Sequence, residues 1–210
     1  MRALVIANGE PPSPALLRAL AAEASLVVAA DGGARHALAA GLTPDAVVGD
    51  LDSVTAAERA AIPASRFHQV LDPNTTDLRK AIAFAIARGA TRVDVAAAGG
   101  GRADHALANL SVLREFRGAA EVHIADDYFD IRLVEGSATI DADPGTVVSL
   151  VAIGRCEGVT TANLRWDLAA YTLEFSPYGV HNEVAVRPAR VSVASGDLLL
   201  FTGRWVERHG

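Results

Sequence analysis

The segment Leu26-Val27-Val28-Ala29-Ala30-Asp31-Gly32-Gly33-Ala34-Arg35-His36-Ala37-Leu38-Ala39-Ala40-Gly41, with Ala46-Val47-Val48-Gly49-Asp50 after it, decides the fold. Residues 26–30 are a short apolar run ending on an acid. A short alanine-rich helix follows and stops at Gly41, a residue type suited to a helix C-terminus. Residues 46–48 form a second apolar run, which ends on Gly49-Asp50. Strand, helix and strand in this order make a unit that builds a parallel sheet.

The same alternation extends in both directions. Upstream, residues 2–7 read as a buried strand closed by the Asn8-Gly9 turn. Ser13-Pro14 is a helix start, with serine as cap and proline at the first helical position. Leu16, Leu17 and Leu20 then give that helix an apolar face. Downstream, Thr55-Ala56-Ala57-Glu58 has the spacing of a capping box. A helix is predicted over 77–88, stopped by Gly89, then a strand over 93–97, a helix over 103–116 and a strand over 122–125. A parallel sheet built this way is covered on both faces, and its ligands bind beyond the carboxyl ends of the strands.

After Val134 the helical period disappears. Short β-rich stretches at 147–152, 172–175, 183–186, 191–193 and 198–201 are punctuated by Gly, Pro and Asp. The expectation is therefore α/β: an N-terminal parallel-sheet α/β domain over 1–135, then a C-terminal antiparallel β-sandwich over 136–210, joined near Glu135-Gly136.

Bulk properties narrow the function. The 210 residues carry a formal net charge of -6, and no basic stripe offsets it, which argues against a nucleic-acid partner. Cys156 is the sole cysteine, so an intrachain disulfide and a cysteine cage for zinc are both excluded. No apolar run has the length of a signal peptide's core or a membrane span. The expectation is a soluble, cytoplasmic protein with no membrane partner.

Four acidic clusters adjoin glycines or helix starts: Ala30-Asp31-Gly32-Gly33, Gly49-Asp50-Leu51-Asp52-Ser53, Thr75-Thr76-Asp77-Leu78-Arg79-Lys80 and Gly100-Gly101-Arg102-Ala103-Asp104-His105. Carboxylates gathered at one site repel and resist ionisation, a cost that a hard divalent cation removes. Three of the clusters also have a plainer reading. Asp50 and Asp52 suit an Asx turn with a serine cap, Asp77 a helix N-terminus beside a solvated lysine, and Asp104 and His105 a helix cap. Gly99-Gly100-Gly101-Arg102 is either a tight turn or a backbone cradle for an anion, although no G-x-x-x-x-G-K-[ST] loop occurs. Topology favours chemistry over the plain readings, because Asp31, Asp50 and the 99–102 loop all follow predicted strands. Mg²⁺ with a phosphate chain suits such a set, and Lys80 and Arg102 suit phosphate oxygens. Trp166 is either core or an exposed stacking face.

The ordered set resembles the thiamine pyrophosphokinase (thiamine diphosphokinase) family. The motifs that carry the resemblance are Asn8-Gly9-Glu10, Ala30 to Ala34, Pro44 to Ser53, Thr76 to Ala81, Gly100 to His105 and Trp166 to Leu168, in order along nearly the whole chain. The resemblance implies an α/β catalytic domain, a β-sandwich and a homodimer with thiamine at the subunit interface. It implies an acidic Mg²⁺ and substrate site at Asp31, Asp50, Asp52 and Asp77, with the metal on Asp50, Asp52 and Asp77. It places ATP contacts at Lys80, Gly100, Gly101, Arg102 and Asp104, and thiamine contacts at Trp166, His181 and Asn182. Three places depart from the family's usual pattern: His181 stands where serine is common, Arg35 where asparagine is common, and Asp72-Pro73-Asn74 where the loop is usually more polar. The expected reaction moves a diphosphoryl group from ATP to the thiamine hydroxyl, releasing AMP. Its rivals are a diphosphokinase acting on a pterin-like alcohol and a non-catalytic nucleotide-binding regulator.

Overall fold

The computed structural model describes residues 1–207. The chain divides into two compact units, Met1–Asp127 and the segment from Tyr128 onward. The junction expected near Glu135-Gly136 lies inside the second unit.

The first unit is a six-stranded parallel sheet. Its strands are β1 (Arg2–Ile6), β2 (Leu26–Ala30), β3 (Ala46–Gly49), β4 (Phe67–Gln69), β5 (Arg92–Ala96) and β6 (Glu121–Ala125). Their order across the sheet is β4-β3-β2-β1-β5-β6. The chain thus winds outward from β1 to β4, crosses back, and resumes on the other side of β1 with β5. The switch point of the winding lies between β1 and β5, and ligands of doubly wound sheets bind at the carboxyl end beside such a point.

Six helices accompany the strands: α1 (Pro14–Glu23), α2 (Gly33–Ala39), α3 (Ala56–Ala61), α4 (Asp77–Ala87), α5 (Ala103–Asn109) and α6 (Val112–Glu115). The caps form as the sequence dictates. Ser13 Oγ accepts from Leu16 N–H at 3.3 Å, and Thr55 and Glu58 close a full capping box. Register puts Ile6, Ala29 and Val47 in one row. Ile6 packs with Leu17, Leu20 and Ala37, and Ala29 and Val47 pack with Ala34 and Ile62. The small side chains of α2 let its backbone approach the sheet closely. On α4, Leu78, Ala81, Ile82 and Ala85 supply the buried face.

The helix expected over 103–116 is two helices. At Leu110 and Ser111 the backbone tightens to i→i−3 bonds, with Leu110 N–H donating to Leu107 O and Ser111 N–H to Ala108 O. Asn109 and Ser111 are poor interior helix residues. Asn109 uses its side chain elsewhere, donating to Ala98 O at 2.7 Å.

The second unit is antiparallel. Its strands are β7 (Phe129–Leu133), β8 (Ser137–Ile140), β9 (Thr146–Ala162), β10 (Tyr171–Glu174), β11 (Asn182–Glu183), β12 (Ala189–Ser192) and β13 (Ser195–Val206). β9 organises them, pairing with β13, β12, β10 and β11 along its length. The strands enclose one apolar core that includes Val148, Leu150, Val159, Leu173, Val191, Leu198 and Leu200, the sandwich-like arrangement expected of this half. Cys156 is fully buried within it. Gly154, Gly158 and Gly196 mark bends within long strands rather than strand ends. β9 and β13 are accordingly longer than the stretches expected at 147–152 and 198–201. The C-terminal domain was expected to reach Gly210, and 208–210 lie outside the described residues. Among the described residues, no helix is long and apolar enough to cross a membrane.

Candidate active site

A cleft of about 720 Å³ opens in the first unit at the carboxyl end of the sheet. It is built from four loops. Asn8, Gly9 and Glu10 follow β1, Asp31 follows β2, Asp50 to Ser53 follow β3, and Ala98 to Arg102 follow β5. Thr75, Thr76 and Asp77 add the start of α4, and His105, Ala106 and Asn109 one face of α5. The loops of the switch point are zipped together: Gly9 N–H donates to Ala97 O and Glu10 N–H to Gly99 O. A side chain on Gly9 would lie 2.3 Å from Gly99 O, so only glycine allows this closure.

Three of the strand ends carry a non-glycine residue in the left-handed region: Asp31 (φ 44), Leu51 (φ 66) and Ala97 (φ 58). Such backbone costs about 1–3 kcal/mol per residue and persists where its surroundings impose it. Leu51 shows how. Its side chain is buried with Val54 and Ile62, while Arg59 Nη2 donates to its carbonyl and Gln69 Nε2 to that of Asp50. The turn between Asp50 and Asp52 is therefore made at Leu51. Gly49 stays in β3 and serves a different end, since a Cβ there would sit 2.9 Å from Asp31 Cβ and 3.1 Å from Asp77 Cγ. The absent side chain is the space into which two carboxylates converge.

Asp31, Asp50 and Asp77 meet: one carboxylate oxygen of each lies within 4.8 Å of the others. Asp31 is 3% exposed, and its Oδ1 is buried without a hydrogen-bond partner. Its Oδ2 accepts from Ser53 N–H at 3.3 Å. Burial, and then the nearby Asp77 and Asp50 charges, push the Asp31 carboxyl above its ordinary range, against the hydrogen bonds from Ser53. Asp77 Oδ1 accepts from Lys80 Nζ at 2.9 Å. The donor set is all carboxylate oxygen with one buried oxygen unserved, which suits a hard divalent cation.

The other residues singled out in the sequence divide. Asp52 lines the cleft but stands outside the triad; its N–H donates to Asp50 Oδ1, and its Oδ1 accepts from Ser53 Oγ. Lys80 is buried behind Asp77 and does not line the cleft. Gly100, Gly101 and Arg102 line it. Arg102 makes a two-point contact with Asp104, at 3.1 and 2.6 Å. That hydrogen bond brings the Asp104 carboxyl down to about 2. The guanidinium must exchange Asp104 for any phosphate it binds.

Asn109 went unread in the sequence, although Arg102, His105 and Asn109 share a helical spacing that would have found it. Asn8 was read as part of a turn and of the Asn8-Gly9-Glu10 motif, with no role of its own. Its Oδ1 accepts from Arg35 Nη2 at 2.7 Å, while Arg35 Nε donates to Gly32 O. The unusual Arg35 thus ties the loops after β1 and β2.

In the second unit, Trp166 is 54% exposed and lies under Arg165, with 4.8 Å from guanidinium carbon to ring centre. The loop that carries it is folded around Asp167, whose carboxylate accepts from Thr161 Oγ1, Leu164 N–H and Asn163 N–H. Asn182 fixes the tryptophan from the other side: its Oδ1 accepts from Trp166 N–H at 3.2 Å and its Nδ2 donates to Trp166 O at 2.7 Å. His181 is adjacent, with φ 65 and its N–H donating to Ser149 Oγ.

Comparison with known proteins agrees with this architecture. Residues 17–124 match the family model described as thiamin pyrophosphokinase, catalytic domain, and residues 137–198 the one described as thiamin pyrophosphokinase, vitamin B1 binding domain. Thiamine pyrophosphokinase of Bacillus subtilis is 35% identical over 95 residues, an alignment spanning 43% of this chain and 44% of that protein. The fold is shared with the crystal structure of the Bacillus subtilis enzyme (TM-score 0.84, 22% identity, 97% of this chain and 99% of that one). It is shared equally with that of Geobacillus thermodenitrificans (TM-score 0.84, 21% identity, 98% of each chain). With both family models matched in order and the acidic cleft in place, the chain belongs to the thiamin pyrophosphokinase family.

Proposed function

We propose that the protein is a thiamine diphosphokinase, moving the diphosphoryl group of ATP to the hydroxyethyl oxygen of thiamine with release of AMP. The observation that carries this reading is the convergence of Asp31, Asp50 and Asp77 around a buried, unserved oxygen at the carboxyl end of the parallel sheet, in a chain of this family. The first unit is assigned the nucleotide chemistry and the second the vitamin.

Asp31, Asp50 and Asp77 would hold Mg²⁺, with Asp52 beside them. When bound, the ion neutralises charge on phosphate oxygens. The chain's own groups do the rest. Lys80 holds Asp77 in position and offsets part of the triad's charge. Gly100 and Gly101 line the cleft, where their N–H groups would meet the phosphate chain, and Asn109 steadies their loop through Ala98 O. Arg102, released from Asp104, takes a phosphate oxygen. A triad carboxylate accepts the alcohol proton. Most of the rate then comes from positioning and electrostatics.

For the vitamin, the Trp166 ring offers an exposed stacking face on a loop locked by Asp167 and Asn182, with His181 at its edge. Phe175 and Tyr178 are also exposed, and a homodimer with thiamine at its interface would cover such surface. A soluble cytoplasmic enzyme fits the composition.

ATP labelled at the γ-phosphate tests the reading. Incubation with thiamine and Mg²⁺ should give AMP and labelled thiamine diphosphate in equal amounts. Formation of ADP and a monophosphate ester would overturn it, and turnover with a pterin-like alcohol in place of thiamine would redirect it.

A further inference from the structure

Four buried side-chain polar atoms lack a hydrogen-bond partner among the described residues, and two are carboxylate oxygens: Asp31 Oδ1 and Glu207 Oε2. The first belongs to the acidic triad. The second belongs to another group, His181, Glu183 and Glu207, whose ligand atoms also lie within 4.8 Å of one another. We propose that His181, Glu183 and Glu207 form a second cation site, in the β unit, for a borderline divalent transition metal such as Zn²⁺.

The donors differ in kind from those of the triad. One imidazole nitrogen with two carboxylates suits Zn²⁺ and its neighbours, whereas Mg²⁺ takes oxygen alone. His181 Nε2 pairs with Glu207 Oε2 at 3.0 Å without the geometry of a hydrogen bond, so the two donors already face each other. Glu183 is 5% exposed, and Arg165 Nη1 reaches both its oxygens at 3.3 Å, which orients the carboxylate. His181 is held at φ 65 by its N–H to Ser149 Oγ, so its imidazole is presented from a fixed backbone. Among the described residues the group offers three ligands, one fewer than a closed structural zinc site. None of its ligands lines the acidic cleft, but His181 also stands at the edge of the Trp166 face assigned to thiamine, so metal binding is measured without thiamine.

Zn²⁺ titration of the full chain by calorimetry tests this, with Asp31→Asn included to disable the triad. Wild type and Asp31→Asn should bind one Zn²⁺ equivalent alike at the β-unit site. His181→Ala and Glu207→Gln should each weaken that binding about tenfold or more, in the range seen when ligand shells are damaged. Co²⁺ in place of Zn²⁺ should give visible absorption bands that disappear in His181→Ala. Should His181→Ala fail to fold, as judged by circular dichroism, His181→Ser and Glu207→Gln carry the test. Unchanged Zn²⁺ affinity in the folded variants, or no micromolar binding by wild type, would overturn the proposal.

Discussion

Lys80 Nζ donates to Asp77 Oδ1 across one helical turn, at 2.9 Å, with the lysine side chain 6% exposed and the aspartate 30%. A lysine this buried is held by its partner, and the pair fixes one corner of the acidic triad. Lys80→Ala leaves Asp77 facing Asp31 and Asp50 without its cation. The expected result is a loss of about 1–3 kcal/mol of stability in urea without metal, typical of stranding a buried charged partner. Millimolar Mg²⁺ should restore part of it. Equal stability of variant and wild type in both conditions would show that Lys80 has no hold on the triad.

Asp31 gives a pH prediction of definite sign. Burial first, and then Asp77 and Asp50, raise its folded-state carboxyl above the 3.8 of the free group. The folded state therefore binds this proton more tightly than the unfolded one. The resulting stability is fully present below 3.8 and is lost as pH rises through the raised folded value. Metal-free wild type should show this decline, and Asp31→Asn should lack it and melt higher at neutral pH. Its turnover should fall about a hundredfold or more, the scale of losing one preorganised charge. Melting curves across pH with chelator present decide the matter; parallel profiles for both proteins would mean that Asp31 carries no burial penalty.

Gly49→Ala probes the geometry of the triad without altering its charge. The added methyl would fall 2.9 Å from Asp31 Cβ and 3.1 Å from Asp77 Oδ1, so the carboxylates must part. Overpacking of this kind costs about 1–3 kcal/mol, and a displacement near 1 Å at a reacting site costs roughly a hundredfold in rate. Turnover should fall and the Mg²⁺ needed for half-maximal rate should rise. Normal kinetics at low Mg²⁺ would place the chemistry away from Gly49.

The N-terminal half was legible because its signals are local. Caps at Ser13 and Thr55, strand runs ending on Asp31 and Asp50, and glycine stops all act within a few residues. The site was harder to read where it depends on tertiary packing. Nothing in Gly49-Asp50-Leu51-Asp52 says that the turn falls at Leu51, because the cause is Leu51's burial against Val54 and Ile62. Nor does the sequence say that Asp31 joins Asp50 and Asp77 more closely than Asp52 does. That follows from the register of β2 on β3 and from the space left at Gly49. The edge strand β4 has three residues and too little pattern to detect. In the β unit, glycines that bend β9 and β13 look like those that end strands, so strand lengths were underestimated.

Trp166 separates a binding role from a core role. Its ring is 54% exposed and, among the described residues, meets the Arg165 guanidinium. The hydrogen bonds that fix the loop run through its backbone to Asn182, and through Asp167 to Thr161, Asn163 and Leu164. Removing the ring therefore leaves the loop's scaffold intact. Trp166→Ala should change stability by no more than about 0.5 kcal/mol, as for a surface substitution. Thiamine binding should weaken by about 1–1.5 kcal/mol, the worth of an aromatic stacking contact, with ATP affinity unchanged. Asn182→Ala should differ in kind: it removes both bonds to the Trp166 backbone and should lower thiamine affinity together with the melting temperature. The pair of variants, measured by calorimetry with each substrate in turn, distinguishes a stacking platform from a packed side chain. A large drop in melting temperature for Trp166→Ala with equal loss of both substrates would assign the ring to the core.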